Sequence, residues 1–507
     1  MLQALIQQLS TEGEQGLGRV IAIDSQVDRC LCAQVMRYIP PASQEVRDTL
    51  VMMLQSLNLI WNKQSTTQRR KDSRVRGLEI LPSLLTWWTL PDLDLHESST
   101  VLSILRSWTK MQDDTIKSLL VKAGLVQALS IPFTRQAEMD PKLWPACLGL
   151  VKDLIFRAKA SEKEVLYGVW MQHVLLTLPM ETCSEPATAC LWNWAVDDDL
   201  ALRMATNTRL WSTLVQCPPA FPNHGARRNA LSAVGSILSV CVSKLDEAPF
   251  LSESHGAWIV SLAVQTLEDS EDHDLRRRAV RSIRCLSVAS WGRIFLLNYF
   301  KSHQGVLNFL AKIFSDSEEQ DDTRTQVSLA INNLLPHLHE SWARVGPQLE
   351  LSIVRVTADP RASIKIVKHS IQVLVTCFEF SPWKRGSGCL SDAFLVRLHL
   401  LLKENLSDSD FHELVVALFY QVAVKTSDSV FANPRVVDIL ALLLSDFPET
   451  TAKAVECIQT AVQASAAKKH FVGHDLLLTN LVNVCIASSG ERKAKAKALL
   501  VSLVSDL

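Results

Sequence analysis

Three short runs in this chain open as the helix of a zinc hydrolase would: His96-Glu97, His339-Glu340 and His412-Glu413. Such a helix needs a second histidine one turn on, so that two imidazoles hold the ion while the glutamate serves as base. The residues at that spacing are Thr100, Ala343 and Val416, none of them an imidazole. His337 and His339 stand two apart, but no cysteine or acidic cluster lies nearby to complete a metal site. Gly386-Ser387-Gly388 lacks the wider spacing of a nucleophile elbow. No glycine-rich phosphate or dinucleotide loop occurs. The sequence therefore predicts a chain that is not an enzyme and carries no metal and no cofactor.

The charge chemistry that is present is concentrated. Five arginines fall between 276 and 284 in "DLRRRAVRSIRCLSVAS" (274–290), although Lys plus Arg (52) and Asp plus Glu (53) almost cancel over the whole chain. On a wheel of 100° per residue, Ala279, Val280, Ile283 and Leu286 share one side, and Arg277, Arg278, Arg281 and Arg284 the other. Basic residues recur at matching places in neighbouring segments: Arg227 and Arg228 before it, Arg324 and then Lys365 and Lys368 after it. An arginine fork grips a carboxylate with two bonds, so the set predicts a ladder that reads an acidic segment of a protein partner. The balanced totals predict no overall basic field for nucleic acid or an anionic membrane surface. Helical repeats that read RNA carry a recurring two- or three-residue code, and none recurs here. The run "RRKDSRVR" (69–76) reads as a solvated helix start before it reads as a targeting signal or phosphate patch.

Tryptophan supplies the other unusual chemistry. Trp87, Trp88, Trp211 and Trp258 read as wedges in a core. In "CLWNWAVDDD" (190–199), Trp192 and Trp194 are two apart on a helix and cannot both face the same core. One is expected to be a contact anchor, and Trp192 is the candidate, because exposed tryptophan concentrates binding energy at interfaces. The acids at 197–199 beside it suggest a rim opposite in sign to the arginines.

What must position these residues is a repeat. A turn residue, two apolar residues, two free positions and another apolar residue open a leucine-rich helix at "AGLVQAL" (123–129), "HQGVLNFL" (303–310), "NPRVVDIL" (433–440) and elsewhere. The first apolar residues fall at 125, 169, 210, 258, 306, 348, 394, 436 and 477, a step of 41 to 48. A second phrase alternates with it, an amphipathic helix with a core pair three apart: Val151/Leu154, Leu191/Trp194, Val234/Ile237, Ile283/Leu286, Ile331/Leu334, Ile371/Leu374, Val415/Leu418 and Val455/Ile458. Looser copies at Leu54/Leu57 and Leu105/Trp108 suit a capping end. A period of this length is that of stacked helical repeats. Acidic or proline-bearing links such as "EDSEDHD" (268–274), "SDSEEQDD" (315–322) and "SDSD" (407–410) precede helices, where Ser and Asp cap free amides. "SPWKRGSGCLSD" (381–392) alone has the composition of a longer loop. Only 17 glycines in 507 residues agree with an all-α chain. Twelve scattered cysteines predict reduced thiols in the cytosol or nucleus, and no apolar run approaches the roughly 20 residues of a membrane span.

At "LVKAGLVQALS" (120–130) and at 274–290 the chain resembles the armadillo family, which shares its stacking logic with HEAT repeats. The resemblance covers roughly residues 100 to 507 and implies an all-α, right-handed α-α superhelix of about ten units. Residues 1–110 would be degenerate N-terminal capping repeats and 111–507 the repeat array proper. It also implies a concave face lined by the third helix of each unit, used by a scaffold or adaptor to bind a partner segment. Nuclear-import adaptors of this fold set Trp and Asn four apart on those helices. Here Asn333 matches, but Leu329 replaces the Trp, and 281 and 285 hold Arg and Cys. An arginine-lined groove would repel a basic import signal. The expected contacts are Arg228, Arg277, Arg281, Arg284, Lys365, Lys368 and Trp192. Two other classes compete with the adaptor: a nucleic-acid-binding helical-repeat protein, and a chaperone co-factor or regulator of an ATPase.

Overall fold

The computed structural model describes residues 27–505 apart from 40, 42, 64–77, 111–113, 135–140, 220, 222, 246–250, 304–305, 339–341, 381–389, 426–429, 445–446 and 464. The basic run at 69–76, His339 and most of the 381–392 loop lie outside the described residues. Among those described, the ordered elements are helices and no strand occurs. The chain divides into two units, Met1–Lys244 with Pro249–His255, and Leu245–Ala248 with Gly256–Leu507. Residue 110 lies inside the first.

The first unit holds α1 (Val27–Tyr38), α2 (Gln44–Lys63), α3 (Leu81–Trp88), α4 (Leu95–Thr109), α5 (Asp114–Lys122) and α6 (Leu125–Thr134). They are followed by α7 (Trp144–Ile155), α8 (Ala160–Thr177), α9 (Glu181–Ala195), α10 (Asp198–Ala205), α11 (Thr208–Gln216) and α12 (His224–Lys244). Two stacks interleave: α2, α4, α7, α9 and α12 pack in succession, and α3, α6, α8 and α11 do the same. Helix α13 (Glu253–Asp269) begins at the boundary of the units.

The second unit continues with α14 (His273–Val288), α15 (Ser290–Ser302), α16 (Val306–Ser315), α17 (Asp321–Leu334), α18 (Trp342–Ala358), α19 (Ile364–Phe380) and α20 (Asp392–Glu404). It ends with α21 (Ser409–Lys425), α22 (Pro434–Leu443), α23 (Pro448–Val462), α24 (Ser465–Val472), α25 (Asp475–Ala487) and α26 (Gly490–Val504). Its stacks are α14, α17, α19, α21, α23 and α26, and α16, α18, α20, α22 and α25.

The two sequence phrases map onto the two stacks. Every core pair of the second phrase is buried on α7, α9, α12, α14, α17, α19, α21 or α23. Leu54/Leu57 on α2 and Leu105/Trp108 on α4 are buried in the same way, so the pattern reaches nearer the N-terminus than the looser spelling suggests. The period reappears in hydrogen bonds. Asn193 Nδ2 donates to the Lys152 carbonyl (3.1 Å), Asn229 Nδ2 to the Glu185 carbonyl (3.3 Å) and Asn480 Nδ2 to the Ala441 carbonyl (2.8 Å). The indoles of Trp88 and Trp170 donate to Ala128 and Val126 on α6, each at 3.1 Å. Each of these bonds joins residues 39 to 44 apart in the chain, about one repeat.

The links behave as helix starts. Asp272 accepts from the amides of Asp274 (2.8 Å) and Leu275 (3.4 Å), and Asp408 accepts from the Phe411 amide (3.1 Å). Cys147, Cys183, Cys190 and Cys217 are buried free thiols. Burial pushes Cys217 up to about 11 and Cys147 and Cys190 higher still, which leaves them inert. Among the described residues no helix is long and apolar enough to cross a membrane.

Candidate ligand-binding groove

Helix α14 buries Ala279, Val280, Ile283 and Leu286 and turns its arginines outward. Most of them are already bonded. Arg277 Nη2 and Arg278 Nε each donate to Asp274 at 2.8 Å, and Arg284 Nη1 donates to Gln326 Oε1 on α17 at 2.8 Å. Arg276 Nε lies 3.0 Å from Glu319, whose carboxylate is wholly buried and also meets His273 Nδ1 at 3.1 Å. On α19, Lys368 Nζ lies 2.6 Å from Asp408 Oδ2. Burial works against the Asp274 charge, but hydrogen bonds from Arg278 and Arg277 outweigh it and hold the carboxyl below its ordinary value. Asp408 is held low in the same way, against burial, by Lys368 and the Phe411 amide.

One rung of the expected ladder is corrected. Arg324 is 3% exposed and donates through Nε to the Phe314 carbonyl at 2.9 Å, because its place on α17 turns it under the preceding helix. Arg281 and Lys365 are exposed and their side chains make no hydrogen bond or ion pair among the described residues. Asn333, the one residue at the import-adaptor position, donates to Ser287 Oγ at 3.1 Å and is thereby tied to α14.

The first unit shows the opposite arrangement. Along the α4, α7, α9 and α12 stack lies a concave hollow of about 700 Å³. Arg106, Lys142, Lys152 and Arg228 line it, with the carboxylates of Asp153 and Glu185 among them. A smaller hollow of about 300 Å³ adjoins it and shares Arg106 and Ala146. Trp192 forms part of the larger wall and is half-buried, while Trp194 is fully buried and packs edge-on against Tyr167 with centroids 5.4 Å apart. The two indoles therefore point to different sides of α9. Phe156, exposed at the end of α7, closes one side of the hollow, with the Lys117 ammonium 5.4 Å and the Arg157 guanidinium 5.2 Å from its ring centre.

Three of these cations, Arg106, Lys152 and Arg228, are little used by the fold. Arg228 is exposed and, among the described residues, makes no side-chain hydrogen bond or ion pair. Among the described residues the Lys152 ammonium pairs only with the adjacent Asp153, at 3.5 Å. Arg106 lies over the α7 backbone at Gly149, where a β-carbon would sit 3.5 Å from Nη2, and its Nε is buried without a partner. Glu185 is engaged, accepting from Asn223 Nδ2 at 3.1 Å.

Sequence reading finds two of these residues, Arg228 and Trp192, and misses Arg106, Lys152 and Phe156. The missed signal is register: the residue after the first member of the core pair is Arg106, Lys152 and Trp192 in three successive repeats, all of which line the hollow. Of the histidine-glutamate runs, those at 96 and 412 are described and the one at 339 is not. His96 lies 3.3 Å from Gln55, and His412 is buried with its ring edge-on to Phe447. Among the described residues no group of three or more His, Cys, Asp or Glu is arranged to hold a metal.

No protein-family model matches the chain, and no curated protein matches it in sequence. Solved structures do. One, from work on a phosphorylation switch controlling the interaction between cadherin and β-catenin, aligns with a TM-score of 0.57 at 11% identity, covering 98% of this chain and 99% of its own. An engineered protein aligns with a TM-score of 0.55 at 15% identity, over 83% of this chain and 98% of its own. The likeness is one of fold.

Proposed function

We propose that the chain is a non-catalytic adaptor of armadillo- or HEAT-like architecture, a right-handed superhelical array in the cytosol or nucleus, whose first unit grips an acidic protein segment. The observation that carries this is the hollow around Trp192, where Arg106, Lys152 and Arg228 surround a half-buried indole while the fold supplies almost no bonds to their charges. An indole of that kind can cover an apolar side chain while neighbouring guanidinium and ammonium groups take carboxylates. Asp153 and Glu185 stand among the cations and oppose a continuous phosphate backbone, which favours a peptide over a nucleic acid. The fold neighbour from work on the interaction between cadherin and β-catenin supports the same reading. Arg281 and Lys365 remain available for a second contact in the other unit.

The test is fluorescence anisotropy with a short labelled Asp/Glu-rich peptide containing one leucine, beside a Lys/Arg-rich peptide of equal length. The acidic peptide is expected to bind and the basic one to stay free. Equal binding of both, or full binding by Trp192→Ala/Arg228→Glu, overturns the reading.

A further inference from the structure

The smaller hollow differs in kind from the larger one it adjoins. Its wall comes chiefly from one stripe of α4 and its C-cap residue, Ser99, Ser103, Arg106 and Lys110, at steps of four, three and four residues that bring them to a single face. Asn58 and Ser107 complete the polar lining, and no carboxylate takes part. Ser103 Oγ accepts from Asn58 Nδ2 at 2.8 Å, which leaves its own hydrogen to donate outward. Ser107 gives its hydrogen to the Ile104 carbonyl at 2.7 Å. The helix is held in place by a capping box, with Asp94 accepting from the Glu97 amide at 2.7 Å and Glu97 from the Asp94 amide at 3.1 Å. Neither Arg106 nor Lys110 has a side-chain hydrogen bond or ion pair among the described residues, and Arg106 Nε is buried unbonded.

A fixed guanidinium, an ammonium and at least one outward hydroxyl, with no acceptor charge, describe a receptor for a compact dianion. A carboxylate brings one charge and two oxygens. A phosphate monoester brings close to two charges and three acceptor oxygens, which suits two cations beside hydroxyl donors. The volume of about 300 Å³ exceeds the size of a phosphoryl group. We infer that this hollow binds the phosphate of a phosphoserine or phosphothreonine carried by the segment whose acidic residues occupy the neighbouring hollow. The inference rests on the groove reading above, and Arg106, which lines both hollows, joins the two parts of the site.

Three labelled acidic peptides of one sequence, carrying serine, glutamate or phosphoserine at one central position, test it by anisotropy against the full chain and against Ser103→Ala/Lys110→Gln, two residues that line the smaller hollow and not the larger one. The phosphoserine peptide is expected to bind about tenfold tighter than its twins. In the double variant that advantage should vanish while the serine peptide keeps its affinity, which also shows that the groove is intact. Inorganic phosphate should remove the advantage without releasing the serine peptide. Equal binding of all three peptides overturns the phosphate site and leaves the groove reading standing. An advantage that survives in the double variant overturns the assignment to this hollow. Failure of all three to bind overturns the groove reading and the phosphate site with it.

Discussion

Helix α14 carries five arginines and pairs four of them, leaving Arg281 unpaired among the described residues, whereas the groove-facing stripe of α4 in the other unit carries one, Arg106, and leaves its guanidinium unbonded. On α14 the same chemistry is directed inward. Asp274 takes Arg277 and Arg278, Gln326 takes Arg284, and buried Glu319 takes Arg276. A dense run of like charge must be neutralised where helices stack, and the acids that cap the helices also supply that neutralisation. A sparse one need not be. Availability to a ligand is therefore set by pairing, and the number of cations in a stretch of sequence does not measure it.

Lys152→Glu/Arg228→Glu should break the comparison most directly. Two charge-assisted contacts at roughly 1.5 kcal/mol or more each give a loss of about a hundredfold or greater in acidic-peptide affinity. Arg277→Glu/Arg281→Glu/Arg284→Glu should change it by less than about threefold, since Asp274 and Gln326 already hold two of those three guanidinium groups. If the second variant loses as much as the first, the contrast between the units is wrong. Next in size, Glu319→Ala removes the buried carboxylate and should cost about 2 kcal/mol in urea unfolding, below the full cost of a broken buried pair because Arg276 is partly solvated. An unchanged midpoint would mean that the pair does not neutralise the helix.

Trp192→Ala should then lower affinity by about tenfold, the usual size for a single aromatic anchor, while circular dichroism and melting stay close to wild type. Trp194→Ala, its buried neighbour, should lose stability instead. The smallest effect is acid-dependent. The folded Asp274 and Asp408 carboxyls lie below their unfolded value near 3.9, so their stabilisation is complete above that pH and fades as pH falls through the folded values. Replacing Lys368 by Met should flatten that part of a pH–stability curve, and a curve unchanged in slope would show that Lys368 does not hold Asp408 ionised.

The repeat was legible because burial of apolar residues is written locally: Ile331/Leu334 or Val455/Ile458 can be recognised within one turn of helix. The split between Trp192 and Trp194 was legible for the same reason, since two positions on a helix cannot share a face. Pairing was not. The partner of Lys368 lies 40 residues on, at Asp408, and that of Arg284 lies 42 on, at Gln326, so only the packed geometry of two repeats decides which cation is taken. Arg324 shows the limit most clearly. It sits in the expected register, yet a buried carbonyl ten residues earlier claims it.

The side-chain bonds that run from one repeat to the next have a kinetic consequence. Each closes a loop of about one period, whichever part of the chain it belongs to, as with Asn193 to Lys152 and Asn480 to Ala441. The entropy lost in closing a loop depends on its own length. Within each unit a newly made helix pair therefore has its docking surface at hand as soon as the preceding pair is in place. Assembly can spread by short steps from several starting points, and lengthening such an array would add steps without slowing any one of them.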